Sequence, residues 1–218
     1  MKILCLVIDS DAPCPETYAA HRRTWEAVLD RNPDIEGYFL RSIPHLASDH
    51  AVEGRRFLCR GQERYDTILK KTVKAVEVLL RDHDYVLRTN LSSLYDFPLL
   101  QRMELPRRGF YAGTILREAG VLFVNGAGIL MSRDLAEELA SARDLSLLNE
   151  WDDIAIGQIM ASKGIRPHPI GRYDYDYSRG NDQIVPGRHI QYRLRDLSDP
   201  SRTREPEVVA HVFATVYS

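Results

Sequence analysis

Apolar and polar positions fall in blocks along this chain that read alternately as strand and helix. Residues 2–8 (Lys-Ile-Leu-Cys-Leu-Val-Ile) are an almost unbroken apolar run, which predicts a strand buried on both faces, as in a parallel sheet. The run stops at Asp9-Ser10-Asp11-Ala12-Pro13, a cluster of turn formers. Residues 16–30 then read as a helix with Tyr18, Trp25, Val28 and Leu29 on its inner face. Ile35 to Arg41 predicts a second strand. Residues 42–62 hold no sustained period and are expected to form a polar surface loop. The clearest helix is 63–82, where Tyr65, Ile68, Leu69, Val76, Leu79 and Leu80 recur at three-to-four spacing. Tyr85 to Thr89 reads as the next strand, followed by a short helix or turn around Ser92 to Arg102.

Further on, Phe110 to Leu116 and Val121 to Val124 predict two short strands joined by Arg117-Glu118-Ala119-Gly120. Asn125-Gly126-Ala127-Gly128 reads as a glycine-rich link before the short apolar stretch Ile129 to Met131. Ser132 is placed to cap a helix over 133–142, and 152–163 predicts another helix closed by Gly164. From Pro167 the chain reads as irregular, rich in Arg, Tyr and Asp. The alternation predicts an α/β fold, a mostly parallel sheet sandwiched by helices, in a single domain. Ligands of such sheets bind beyond the carboxyl ends of the strands, which puts Asp9, Ser10 and Asp11, and Arg88, Thr89, Asn90 and Ser92, near a site.

Composition narrows the class. With 218 residues, 44% hydrophobic and 28% charged, the chain can build its own core and is neither disordered nor fibrous. A net charge of −2 argues against a broad nucleic-acid-binding face. The basic residues are 24 Arg and 5 Lys; either coding bias or bidentate recognition of phosphate or carboxylate accounts for that imbalance. The 3 cysteines, Cys5, Cys14 and Cys59, are odd in number and lack a Cys-x-x-Cys, so neither a disulfide framework nor a structural zinc site is expected. A reducing, cytoplasmic setting fits that usage. The longest apolar run, Ile3 to Ile8, is far short of the ~20 residues that span a bilayer and makes a poor signal peptide.

Five stretches could carry chemistry. Asp152 and Asp153 open a helix behind Trp151. Capping and the helix dipole alone would favour acids there, but adjacent helix residues do not share a face, so one acid can cap while the other acts as general base. The small residues Asn125 to Gly128 would let backbone approach a ligand closely, or simply form a turn. Arg88-Thr89-Asn90-Leu91-Ser92-Ser93 ends a strand with polar groups but no carboxylate, a poor donor set for a hard divalent cation. In His189-Ile190-Gln191-Tyr192-Arg193-Leu194-Arg195, Arg193 and Arg195 would share a side of a strand and with His189 could neutralise a diphosphate; a solvated edge strand is the plainer reading. Tyr173-Asp174-Tyr175-Asp176-Tyr177 reads as a surface loop, ahead of a cation ligand or a sugar-lining loop.

Taken in order, these pieces resemble the beta-1,3-galactosyltransferase and fringe type of glycosyltransferase, which has a GT-A fold. Arg22-Arg23-Thr24-Trp25 is similar to that family's Arg-x-Thr-Trp on the first helix, and Glu63 to Ala75 to the helix before its Asp-x-Asp strand. Asn125 to Asp134 resembles its small-residue loop followed by Ser-Arg-Asp, and Asp152 to Gly157, continuing to Ile165, its acidic pair and following helix. The resemblance implies an inverting hexosyltransferase that moves a sugar from a nucleotide-sugar donor to an acceptor hydroxyl. Residues 1–105 would be the nucleotide-binding half and 106–218 the acceptor-binding half with its tail. Asp153 would be the base, with Asp152 the fallback. Asp9, Ser10, Asp11, Arg23, Arg88, Thr89, Asn90, Ser92, His189, Arg193 and Arg195 would hold the donor. Asn125, Gly126, Ala127, Gly128 and Trp151 would hold the acceptor or sugar.

The family's metal-binding Asp-x-Asp falls on Asn90-Leu91-Ser92, where both carboxylates are missing. Metal-independent transfer is therefore expected, with cationic side chains in place of the Mn²⁺ or Mg²⁺ such a site would otherwise take. The acceptor is a glycan, a lipid-linked glycan, a protein or a small molecule. Two alternatives compete: a degenerate domain that only binds a sugar or nucleotide, and a metal-dependent phosphoesterase built on Asp9, Asp11, Asp152 and Asp153.

Overall fold

A computed structural model describes residues 1–11, 13–118, 120–142, 151–179 and 184–218. Ala12 of the first turn and Ala119 of the Arg117–Gly120 link lie outside the described residues. Eleven strands and six α-helices follow one another among them. The first half runs β1 (Ile3–Ile8), α1 (Pro15–Arg31), β2 (Ile35–Ile43), β3 (His50–Glu53), β4 (Arg56–Arg60), a 3-10 turn (Tyr65–Thr67), α2 (Ile68–Leu79), β5 (Tyr85–Asn90), β6 (Ser93–Tyr95) and α3 (Phe97–Gln101). The second runs β7 (Tyr111–Glu118), β8 (Val121–Ser132), α4 (Arg133–Ala140), α5 (Asp152–Ser162), β9 (His168–Pro169), β10 (Arg172–Asp174), β11 (Gln191–Arg193) and α6 (Glu205–Val216).

The main sheet has the order β3-β4-β2-β1-β5-β8-β7-β9. Its centre, β4-β2-β1-β5, is parallel, and the antiparallel pairings lie at β3 and around β8. The apolar run of β1 sits mid-sheet, where Ile3 to Leu6 are fully buried; a strand covered on both faces needs apolar residues at every position. One core lies between the sheet and α1, α6 and the small sheet β10-β11-β6. The other lies under α2, α4 and α5. No helix among the described residues is long and apolar enough to cross a membrane.

Four expectations are corrected. Residues 42–62 are not a polar loop: Gly54, at φ +57°, turns a hairpin that carries β4 into the main sheet, with Phe57 fully buried. Its apolar core is only Phe57-Leu58-Cys59, flanked by arginines, too short for a periodic signal. Asn125 to Gly128 is not a link between elements but part of β8 (Val121–Ser132), where it bulges between the Val124–Ile115 and Ile129–Gly113 pairings with β7. Ser132 stands before the helix as expected, but its hydroxyl accepts from the Phe110 N–H and donates to Asp134 instead of capping. The region beyond Pro167 holds three strands and a terminal helix, and its tyrosines fill the core: Tyr192 is fully buried and Tyr175 nearly so.

Candidate active site

A cleft of about 1000 Å³ opens at the carboxyl ends of β1 and β5, where the topology of an open α/β sheet leaves room for a ligand. Ile8 and Ser10 come from β1 and its turn; Arg88, Asn90 and Ser92 from β5 and its turn; Asn125, Gly126 and Ala127 from β8; Asp152 and Asp153 from the first turn of α5; Arg193 and Arg195 from β11 and just beyond.

The floor is a buried ion pair. Arg88 and Asp152 are 3% and 6% exposed, and Arg88 Nη2 lies 2.5 Å from Asp152 Oδ2. Burial raises the Asp152 pKa against the pull of Arg88, and the neighbouring Asp153 charge adds to the rise. Arg88 Nη1 also donates to the Gly126 carbonyl, while its Nε is buried with no hydrogen-bond partner among the described residues. The next acid is more open: Asp153 is half-buried, accepts the Gly126 N–H at 2.8 Å through Oδ2 and the Ile154 N–H at 3.0 Å through Oδ1. Both acids face the cleft, so the expected division into one capping and one facing acid is replaced by one ion-paired and one accessible.

The segment 125–128 explains its own small residues. The Asn125 Oδ1 accepts from Arg172 Nη1 at 2.9 Å, Arg193 Nη1 at 3.3 Å and the Ala127 N–H at 3.1 Å. A Cβ on Gly126 would stand 2.9 Å from Arg88 Nη1 and 3.2 Å from Asp153 Oδ2. One on Gly128 would stand 1.7 Å from the Tyr95 hydroxyl. Gly128 therefore lies beneath the site, pressed against Tyr95 and Gln191, rather than in the cleft lining.

The same cleft is lined by arginines. Arg193 and Arg195 line the cleft, and neither makes a carboxylate ion pair among the described residues. Burial, followed by the nearby Arg172 charge, pushes the Arg193 pKa down, the condition of a cation whose environment favours an incoming anion. Arg202 is also cleft-lining but is held by Glu205 through two bonds of 2.6 Å, with φ +55°. Glu205 is fully buried and also meets His21 Nε2 at 2.9 Å and the Asp196 N–H at 2.7 Å.

Other expected site residues sit elsewhere. Asp9 and Asp11 are tied to Arg22, and Asp11 also to Arg41; neither lines the cleft. Arg23 is exposed on α1 outside it, and Arg22 is the arginine that organises the turn after β1. Trp25, three residues after Arg22, donates to the Leu91 carbonyl at 3.3 Å and so fixes the turn after β5. Thr89 is buried and donates to the Ala127 carbonyl at 2.8 Å. His189 packs against Tyr173 and Tyr192 outside the lining, and burial, with Arg188, lowers its pKa; it is no third cation beside Arg193 and Arg195. Asp174 pairs with Arg172, and Asp176 with Ser178 and Arg179. The four-carboxylate phosphoesterase centre does not assemble: among the described residues no three His, Cys, Asp or Glu side chains converge to hold a metal ion. The end of β5 offers only Asn90 and Ser92 and does not fit a divalent cation either.

Reasoning from sequence missed Tyr18, Glu63, Tyr65 and Arg202 as cleft residues. Tyr65 shares the three-to-four spacing of the 63–82 stretch but lies in the 3-10 turn before α2, where it is 65% exposed and meets Trp151, 48% exposed, at a centroid distance of 5.1 Å.

No protein-family model and no curated protein matches the chain. Among solved structures it is similar to the galactosyltransferase LgtC in complex with donor and acceptor sugar analogs, at 12% identity and a TM-score of 0.52, over 100% of this chain and 97% of that one. An active-site mutant of LgtC matches at 12% identity and a TM-score of 0.49, over 96% and 95% of the two chains. The 2-C-methyl-D-erythritol 4-phosphate cytidylyltransferase IspD of Francisella tularensis matches at 12% and 0.46, over 77% and 88%. The fold of this chain is the GT-A-like fold of LgtC.

Proposed function

We propose that the protein is an inverting glycosyltransferase that moves a sugar from a nucleotide-sugar donor to an acceptor hydroxyl without a metal ion. One observation carries the reading: the acids Asp152 and Asp153 share one cleft at the strand ends with the arginines Arg193 and Arg195, which no carboxylate neutralises among the described residues. A general base and an anion-binding wall are what displacement of a nucleoside diphosphate from a sugar requires. The GT-A-like fold supports it.

In this mechanism Asp153 is the base, since Asp152 is engaged by Arg88. Asp153 takes the proton of the acceptor hydroxyl as its oxygen bonds to the anomeric carbon from the face opposite the leaving group. The bond from that carbon to the diphosphate oxygen breaks, its electron pair leaves with the diphosphate, and the configuration inverts. Arg193 and Arg195 offset the charge that builds there, a task preorganised cations perform well in a partly desolvated cleft.

The test is a thermal-shift screen of nucleoside diphosphates and nucleotide sugars, each with EDTA and with Mn²⁺. A ligand at 100 times its Kd adds about 2.7 kcal/mol. A shift with one nucleotide sugar that survives EDTA supports the reading, a shift that needs Mn²⁺ overturns its metal independence, and none with any donor overturns it whole.

A further inference from the structure

We infer that Tyr65 and Trp151 form the stacking platform for the terminal pyranose ring of the acceptor, beside the acidic pair of the cleft; the inference rests on the transfer reading above. The two rings come from different elements, the 3-10 turn before α2 and the residue before α5, yet meet at 5.1 Å with planes tilted by 43°. Both line the cleft while staying 65% and 48% exposed. Two large aromatics held together at a cleft mouth present an apolar, electron-rich face. A pyranose has the matching surface: a patch of weakly positive C–H groups on one side and hydroxyls around its edge.

The charges around the pair select that occupant. Glu63 and Asp66 line the cleft beside Tyr65, and Asp152 and Asp153 follow Trp151 directly. Asp66 is shared with Arg64 at 3.2 Å, and Glu63 with Lys71. Asp152 is shared with Arg88, which leaves Asp153 as the carboxylate without an ion-pair partner among the described residues; it can accept from a sugar hydroxyl and disfavours a diphosphate beside it. The arginines that attract a diphosphate, Arg193 and Arg195, come from β11 and the residues after it. Trp151 sits two positions before the base that must reach an acceptor hydroxyl, which assigns the aromatic pair to the neutral acceptor ring; a nucleobase stacked there is the competing occupant that the titration tests. Polar groups placed around an aromatic floor are the ordinary construction of a small-molecule site.

Tryptophan emission reads this directly. The chain has 2 tryptophans, and Trp25 is fully buried in the core under α1, so the exposed Trp151 is the one a ligand can reach. The protein is titrated with a panel of methyl hexopyranosides and β-linked disaccharides, and separately with UDP and GDP. Expected is a saturable emission change with at least one neutral glycoside, absent in Trp151→Phe and weakened at least tenfold in Tyr65→Ala, whose circular dichroism stays that of the parent. UDP or GDP protection in a thermal melt should be the same in all three proteins. No saturable change with any glycoside, or a change with nucleotides alone, overturns the platform. The two readings fail separately: nucleotide binding without glycoside binding leaves transfer standing and removes the platform, whereas glycoside binding without any nucleotide-sugar shift keeps the platform and removes transfer.

Discussion

Arg88 Nη2 and Asp152 Oδ2 stand 2.5 Å apart on the floor of the cleft, with side chains only 4% and 7% exposed. Each charge is tolerable in that environment because the other is present. Removing one partner of a buried pair typically costs about 3–5 kcal/mol, while replacing both by apolar groups costs far less. Arg88→Met and Asp152→Leu should each lose stability on that scale in denaturant melts, and the double variant should lose clearly less than their sum. Additive losses would mean that the two side chains are not coupled.

Gly126 and Gly128 sit two residues apart on one strand and should fail differently. A methyl on Gly128 meets the Tyr95 hydroxyl at 1.7 Å and Gln191 Nε2 at 2.7 Å, both in the packed layer under the site. Gly128→Ala should cost at least the roughly 1–3 kcal/mol of an overpacked core. A methyl on Gly126 meets Arg88 Nη1 and Asp153 Oδ2 at the cleft surface. Gly126→Ala should keep most of its stability but lose turnover, which paired melts and initial rates will separate.

Asp153→Asn should lower kcat by about 10²–10⁴-fold, the usual worth of a general base, with donor binding unchanged in calorimetry. Arg193→Ala should instead weaken donor and nucleoside diphosphate binding. A domain that only binds would show no turnover for the first substitution to remove.

Glu205 gives a pH signature. Burial works to raise its pKa, but hydrogen bonds from His21 and Arg202 win, and its pKa lies below the ordinary 4.5. A carboxyl with a depressed folded pKa stabilises the fold above its unfolded pKa, and that contribution is lost as pH falls through the folded value. Glu205→Gln should lose about 1.5–3 kcal/mol at pH 7, the scale of hydrogen bonds to a charged group. The gap between variant and parent should narrow as pH drops below 4.5, followed by melting temperature.

The main parallel strands were legible because sustained apolar runs need no partner to be recognised: β1, β2 and β5 fall where the hydrophobic pattern puts them. β4 was not, because Phe57-Leu58-Cys59 is too short to show a period and earns its place by pairing with β2. β8 hid behind its own glycines, which usually break strands but here make room for Arg88, Asp153 and Tyr95. In the cleft, Asp152, Asp153, Arg193 and Arg195 were visible as local clusters of charge. Arg202 and Tyr18 were not: they meet through a 2.5 Å hydrogen bond across most of the chain, and no local pattern reports a contact of that range.

The order in which the cleft is completed follows from where its walls lie along the chain. A ribosome that has released residues 1–162 has delivered the floor, the acidic pair and both platform aromatics. Arg193 and Arg195 come later, and they are set in place by β11 joining β6 and by Glu205 gripping Arg202 and His21 against α1. The nascent protein would thus own its base and its sugar-facing surface well before it could grip a diphosphate. On the proposed transfer reaction, donor capture would emerge after the acidic pair during synthesis, together with the long-range contacts that seat β11 and Glu205.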